Sequence, residues 1–233
     1  MSLRMLVNIK NVSISFQDNL LFEGLSFSVH KGELLAIIGA NGCGKSTILN
    51  LLHSRITGDS SCFEGVDIHC AGSILFPPAT DLIHLPQLLR TAESAPHFLD
   101  SLSPAKAALE KRLCGEFAVR IRTDSAAVLS DGELQKQAII RALLEDRDLY
   151  LLDEPTNYLD IAGITAFEAY VHQLKRQGKG IILVTHDRTL TDNLADRTVL
   201  ITKNGIYHTT GGATDEWSIK SADFESRRKR AKD

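Results

Sequence analysis

Near its start the chain alternates apolar and polar positions. The apolar side chains of Val7, Ile9, Val12, Ile14 and Phe16 keep close to a period of two, and "LSFSV", Leu25 to Val29, does the same. Successive side chains of a strand point to opposite faces, so this period predicts half-buried antiparallel strands. Further along, the alternation gives way to continuous apolar runs: "LLAII" (Leu34 to Ile38), "LYLL" (Leu149 to Leu152) and "IILV" (Ile181 to Val184). Short runs of this kind, followed by polar residues and a helix-like segment, predict parallel strands covered on both faces.

The helical period appears in three places. "STILNLLH" is apolar at Ile48, Leu49, Leu51 and Leu52, which suits packing on a sheet. "SPAKAALEKRLCGEF" opens with Ser103 as an N-cap and Pro104 at the first helical position, and brings Leu109, Leu113 and Phe117 near one face. "AGITAFEAYVHQLKRQG" closes on Gly178 as a C-cap. The expected organisation is one α/β domain with an antiparallel β-subdomain and a small helical lobe inserted over residues 87–130. No motif occurs twice. A charged segment, residues 215–233, ends in a basic run from Arg227 to Arg230 that suits a solvated helix end as well as contact with RNA or lipid.

Between the first continuous run and the first helix lies "GANGCGKST", Gly39 to Thr47. A strand feeding a glycine-rich turn that opens a helix is an anion site, because unpaired N–H groups at the helix start point inward with the helix dipole behind them. The pattern G-x-x-x-x-G-K-[ST] makes that anion a polyphosphate. Gly39, Gly42 and Gly44 let the backbone wrap the β-phosphate, with Asn41 and Cys43 completing the loop. Lys45 reaches the β/γ oxygens, the Ser46 hydroxyl can ligate Mg²⁺, and Thr47 orients backbone or the α-phosphate.

Bulk properties narrow the class without choosing the function. A chain of 233 residues with 43% hydrophobic content suits a soluble globular protein, and a net charge of -3 gives no composition-level case for a nucleic-acid or membrane partner. Direct DNA binding is not expected. Cys43, Cys62, Cys70 and Cys114 form no C-x-x-C pair and do not cluster with histidines at metal-ligand spacing, so a reducing cytosol is the simplest setting. No secretory h-region and no run of about 20 apolar residues is present, so any membrane process it serves needs another chain to cross.

Two further strand exits carry chemistry. "LYLLDEP" places Asp153 and Glu154 at the end of a buried strand, where parallel α/β folds put their sites. The first carboxylate can hold the Mg²⁺ shell and the second can polarise an attacking water. "LVTHDR" brings His186 out at the same sheet edge, where an imidazole can hydrogen-bond a transferring phosphoryl oxygen.

"LSDGE" (Leu129 to Glu133), followed by "LLDEPTNYLD" and then "VTHD", resembles the signature motif, Walker B, D-loop and H-switch of ABC ATPases. The resemblance runs from the first strand to about Tyr207. It implies a P-loop NTPase of ABC type, with a mixed sheet, an antiparallel β-subdomain and the inserted helical lobe, and it implies ATP and Mg²⁺ as ligands. By position, Phe16 matches the aromatic that stacks on adenine. Gln87, in "HLPQ", matches the glutamine that links γ-phosphate and Mg²⁺ to the lobe, and Asp160 matches the D-loop carboxylate that couples two sites. Ser130 and Gly132 match the turn that serves the nucleotide of a second ABC domain, so the resemblance implies two cassettes head to tail, as a homodimer or with a sister half. The family usually reads Leu-Ser-Gly-Gly; here Asp131 stands in place of the first glycine, and its carboxylate repels an incoming triphosphate.

Within the family, "DEPTNYLDI", "THDRTLTDNLADR" and the ending "NGIYHTTGGATDEW" are similar to the ABC-F wording. That points to a cytoplasmic, ribosome-associated protein. The single cassette and Tyr158, where histidine is usual, stand against it. The alternative is the energy-coupling subunit of a membrane transporter, peripheral to the inner face of the membrane and docked on a transmembrane permease subunit.

Overall fold

A computed structural model describes residues 4–16, 19–65, 68–87, 104–119, 131–202 and 205–212. Its strands are β1 (Met5–Phe16), β2 (Asn19–His30), β3 (Leu34–Gly39), β4 (Ile68–Leu75), β5 (Leu82–Leu85), β6 (Leu149–Asp153), β7 (Gly180–Val184), β8 (Arg197–Thr202) and β9 (Gly205–Thr210). Its helices are α1 (Lys45–Thr57), α2 (Pro104–Glu116), α3 (Asp131–Leu144), α4 (Ile161–Arg176) and α5 (Arg188–Leu194).

The alternating segments pair as expected. β1 lies between β2 and β4 in a three-stranded antiparallel sheet, with Ile9 opposite Phe27 and Val12 opposite Leu25. The continuous apolar runs form the centre of a six-stranded sheet of order β5-β6-β7-β3-β8-β9, parallel except for β9. Each central strand contributes to two cores by its pleat. Leu35, Ile37, Leu149, Leu151, Ile182 and Val184 face α1 and the antiparallel sheet, while Leu34, Ala36, Tyr150, Leu152, Ile181 and Leu183 face the helices α2 to α5. Being covered on both faces is why no polar alternation survives in these runs. Each such aliphatic side chain, when fully buried, stabilises the fold by roughly 1.5–3 kcal/mol relative to leaving it exposed.

The helices bury the faces their periods indicated. α2 begins at Pro104 and closes Leu113 and Cys114 into the second core, joined by Phe117 just past its end; Ser103 lies outside the described residues. Arg112 ties α2 to α4, its Nη2 donating to the Tyr170 hydroxyl at 2.8 Å. α4 buries Phe167, Tyr170, Val171 and Leu174, a stripe one helical turn wide.

Two boundaries differ from the sequence reading. The C-cap of α4 is Gln177, and Gly178 follows it with φ +78°, the left-handed residue just past the cap that glycine takes without a Cβ penalty. The segment "NGIYHTTGGATDEW" opens as strand β9, whose backbone pairs with β8 from Gly205 opposite Thr202 to Thr210 opposite Arg197, so any exit from the domain lies beyond Thr210. Residues 213–233, including the basic run, lie outside the described residues.

Candidate functional site

The sheet register brings three loops to one edge. Asp153 sits opposite Val184, and Val184 opposite Ile37, so β6, β7 and β3 end level with one another. β5 ends beside them, with Leu85 opposite Leu152, and releases the chain through Pro86 to Gln87, which is exposed. Gln87, Glu154, His186 and the Gly39–Thr47 loop therefore leave the same edge of one sheet.

The glycine loop is shaped by what surrounds it. A Cβ on Gly39 would lie 2.4 Å from the Ile201 carbonyl oxygen and 2.8 Å from Cys43 Sγ. Gly44 is the left-handed residue before α1, φ +96°, and a Cβ there would meet Phe22 Cε1 at 2.9 Å and Leu21 Cδ1 at 3.2 Å. The antiparallel sheet thus presses on the loop, and only bare backbone fits. In the same sheet Phe16, half-buried, closes β1 opposite Asn19.

Lys45 is buried, and its ammonium donates to the Gly39 carbonyl at 2.9 Å and to that of Ala40 at 3.1 Å. These bonds fold the lysine back over the loop. Asn41 and Gly42 are exposed, whereas Cys43, Ser46 and Thr47 are half-buried. Burial pushes the Cys43 thiol up, partly offset by the Lys45 charge.

Asp153 is 3% exposed, and its Oδ1 has no hydrogen-bond partner among the described residues. Burial pushes its carboxyl up; the Ser46 hydroxyl pulls it back, neighbouring Glu154 pushes further up, and Lys45 pulls down. A buried carboxylate oxygen without a donor is costly unless a cation answers it. An anionic oxygen beside a serine hydroxyl is a hard, oxygen-only donor set that fits Mg²⁺.

Glu154 is buried, and its backbone stands at φ +47°, a left-handed conformation rare for a non-glycine residue. Two ties hold it there. Its N–H donates to the Val184 carbonyl at 2.9 Å, and its Oε2 lies 2.9 Å from His186 Nδ1. Strain of this kind costs on the order of 1–3 kcal/mol and persists where the surroundings over-determine it. His186 itself is exposed, on a turn braced from both sides. Asp187 donates its N–H to the buried Thr185 hydroxyl at 3.0 Å, while Asp187 Oδ1 caps α5 through Leu190 N at 3.1 Å.

The remaining residues named from the sequence fall as follows. Ser130 lies outside the described residues, and only the backbone of Asp131 is described, as the first residue of α3. Gly132, one residue on, sits against Tyr158: a Cβ there would be 3.7 Å from Tyr158 Cβ. Asp160 caps α4, its Oδ1 accepting from Gly163 N at 2.8 Å. Sequence reasoning missed that capping role, the Thr185 brace and the Val184 carbonyl. An aspartate at the head of a helical stretch is a cap signal that could have found the first; a backbone carbonyl leaves no signal.

Comparison with known proteins converges on one family. The ABC transporter family model matches residues 22–157. The ribosome protection protein VmlR of Bacillus subtilis (strain 168) is 33% identical over 192 residues, covering 82% of this chain and 30% of VmlR, so this chain spans less than a third of that relative. The aliphatic sulfonates import ATP-binding protein SsuB 2 of Paracoccus denitrificans is 33% identical over 204 residues, covering 86% of this chain and 78% of that protein. A solved ATP-binding subunit of an ABC transporter superposes with TM-score 0.69 at 25% identity, covering 88% of this chain and 90% of its own. With the phosphate loop, the acidic pair and the histidine on one sheet edge, and with these relatives, the chain belongs to the ABC family of ATP-binding cassettes, whose ATP-binding domains are ATPases.

Proposed function

We propose that this chain binds MgATP, closes head to tail with a second cassette around two nucleotides, hydrolyses them, and does so in an ABC-F-like role at the ribosome. The observation that carries the catalytic part is the tie between Glu154 and His186, two strand-end residues fixed beside the buried, under-satisfied Asp153.

In this reading the loop from Gly39 to Thr47 offers its N–H groups to the phosphates, and Lys45 exchanges its two loop carbonyls for β/γ oxygens. Phe16 stacks on the adenine ring. Ser46, Asp153 and Gln87 hold Mg²⁺, which when bound neutralises charge on the phosphate oxygens. Glu154 takes the proton of the attacking water, a contribution typically worth about 10² to 10⁴ in rate. His186 orients Glu154 and donates toward the γ-phosphate. Ser130 and Gly132 cap the nucleotide of the second cassette, and Asp160 couples the two sites. Only the γ-phosphate joins the two faces, so its release reopens them.

The ABC-F assignment rests on the wording "DEPTNYLDI" and "THDR" and on the similarity to VmlR. A second reading, the energy-coupling subunit of a membrane transporter, is favoured by the 78% coverage of SsuB 2. No described helix is long and apolar enough to cross a membrane, so that reading requires a permease chain. Ribosome co-sedimentation of the Glu154→Gln variant with ATP separates the two. ATP-dependent retention on ribosomes supports the first, and free protein that instead pellets with permease-containing membranes overturns it.

A further inference from the structure

His53, on the third turn of α1, and His84, on β5, bring their imidazoles together. The ring centres are 5.3 Å apart, with planes inclined at 44°. His53 lies about 12 Å along α1 from Lys45, at 1.5 Å per residue. Both rings are half-buried, and His84 Nε2 is fully buried without a hydrogen-bond partner among the described residues. Burial, reinforced by the charge of His53, holds His84 down to about 4, so at neutral pH its ring is uncharged. A buried polar atom left unanswered in a folded protein calls for an unseen water or ion. Neutral imidazole nitrogens are the ligands of choice for the later first-row metals.

We propose that His53 and His84 together bind a late first-row divalent metal of the nickel, copper or zinc class, each ring supplying one nitrogen. The spacing fits. A metal about 2.1 Å from a nitrogen sits roughly 3.2 Å from that ring's centre, and a tetrahedral angle at the metal then sets the two centres about 5.2 Å apart. Among the described residues no group of three or more His, Cys, Asp or Glu gathers at a common point, so the two imidazoles are what these residues offer a metal. Two neutral donors without a carboxylate make the site modest, with a Kd on the order of 10 μM. Mg²⁺, which takes oxygen ligands and dehydrates reluctantly, is not a competitor.

The position gives such a metal a consequence. α1 begins with Lys45 and Ser46, and β5 leads within three residues of His84 to Gln87. A metal bridging the two elements staples the phosphate-loop helix to the strand that delivers Gln87, and so slows turnover from outside the nucleotide site. The binding itself does not depend on the function proposed above.

The test is calorimetric titration of Ni²⁺ into the untagged 233-residue chain without nucleotide. Nickel is the probe because Cys43, Cys62, Cys70 and Cys114 would compete for softer zinc. One equivalent binding near 10 μM is expected, together with a Ni²⁺-dependent rise in Tm. His53→Ala, a half-exposed helix position changed to the best helix former, should weaken binding at least tenfold and remove the Tm rise. His172→Ala, on the exposed side of α4, should leave both intact. His84→Asn is a second variant from the strand side and should match His53→Ala. Absence of saturable binding to the wild type, or binding unchanged in His53→Ala, overturns the site.

Discussion

Replacing Gly39 by alanine tests whether the phosphate loop is shaped by contact or by backbone preference alone. The new Cβ would stand 2.4 Å from the carbonyl oxygen of Ile201, and Ile201 is the ladder partner of Gly39 on β8. A side chain can swing aside, as Cys43 Sγ at 2.8 Å can, but a backbone carbonyl held in a sheet cannot. Restoring an ordinary contact of about 3.2 Å requires roughly 0.8 Å of movement at the root of the loop, an overpacking cost of about 2–3 kcal/mol. For a chain of this size that lowers Tm by roughly 4–12 °C. A displacement approaching 1 Å among the groups that orient a reactant costs about 10² in rate, so ATPase turnover should fall by that order. Gly58→Ala is the control. Gly58, the C-cap of α1, has φ +75° and no atom within 4 Å of where a Cβ would stand, so alanine there meets strain but no clash. Its cost is about 1–2 kcal/mol, with turnover per folded molecule unchanged. Thermal melts and phosphate-release assays on the two variants read both quantities. A Gly39→Ala protein with wild-type Tm and turnover would refute the reasoning.

Other consequences are open to direct measurement. Glu154→Gln should bind ATP with little change and hydrolyse it about 10² to 10⁴ times more slowly; near-normal turnover removes Glu154 from the role of base. His186→Ala leaves the buried Glu154 carboxylate without its 2.9 Å partner and should lower turnover by about 10² and stability by roughly 1–3 kcal/mol, read by the same phosphate-release assay and thermal melts. Asp131→Gly, in a Glu154→Gln background, should tighten ATP-dependent self-association by removing a carboxylate that repels triphosphate; an unchanged dimer fraction in sedimentation counts against it. His84, at about 4 in the folded chain against an ordinary 6.5, gives stability that is complete above pH 6.5 and lost as pH falls through 4. At about 1.4 kcal/mol per pKa unit that is about 3 kcal/mol, visible as a flatter stability-pH curve for His84→Gln than for wild type in urea unfolding.

What could be read from the sequence depended on how each element is stabilised. β3, β6 and β7 announce themselves because burial on both faces demands unbroken apolar runs, and α4 because one stripe of Phe167, Tyr170, Val171 and Leu174 meets the core. β4 hides: as an edge strand of the antiparallel sheet it is mostly exposed, so Ala71, Gly72 and Ser73 carry no periodic signal. β9 hides for a related reason, since its backbone pairing with β8 rather than its side chains defines it, and only Thr209 is buried. In the site, side-chain chemistry at fixed spacing was legible from Gly39 to Thr47 and at Asp153, Glu154 and His186. Asp160 was legible as an acid but not as a cap, because the resemblance supplied one role and the local hydrogen bond to Gly163 supplies another.

The placement of Glu154 follows from sheet register as much as from its own identity. β6 ends at Asp153 opposite Val184, the last residue of β7, so the next N–H along β6 is aimed at the Val184 carbonyl and takes it. That bond holds Glu154 in the left-handed turn, which directs its side chain back across the strand ends toward β7, where His186 emerges two residues after Val184. A one-residue slip between β6 and β7 would remove the acceptor and put His186 on the wrong side of the pleat, so both ties would fail together. The strain at Glu154 is therefore carried by the buried ladder of Leu149 to Asp153 against Gly180 to Val184, whose side chains are buried throughout. A cavity in that ladder should reach the site: Leu183→Ala, besides the roughly 2–5 kcal/mol typical of a truncated core leucine, should lower turnover per folded molecule. Leu144→Ala, on α3 in the same core cluster but outside the ladder, should lower stability alone.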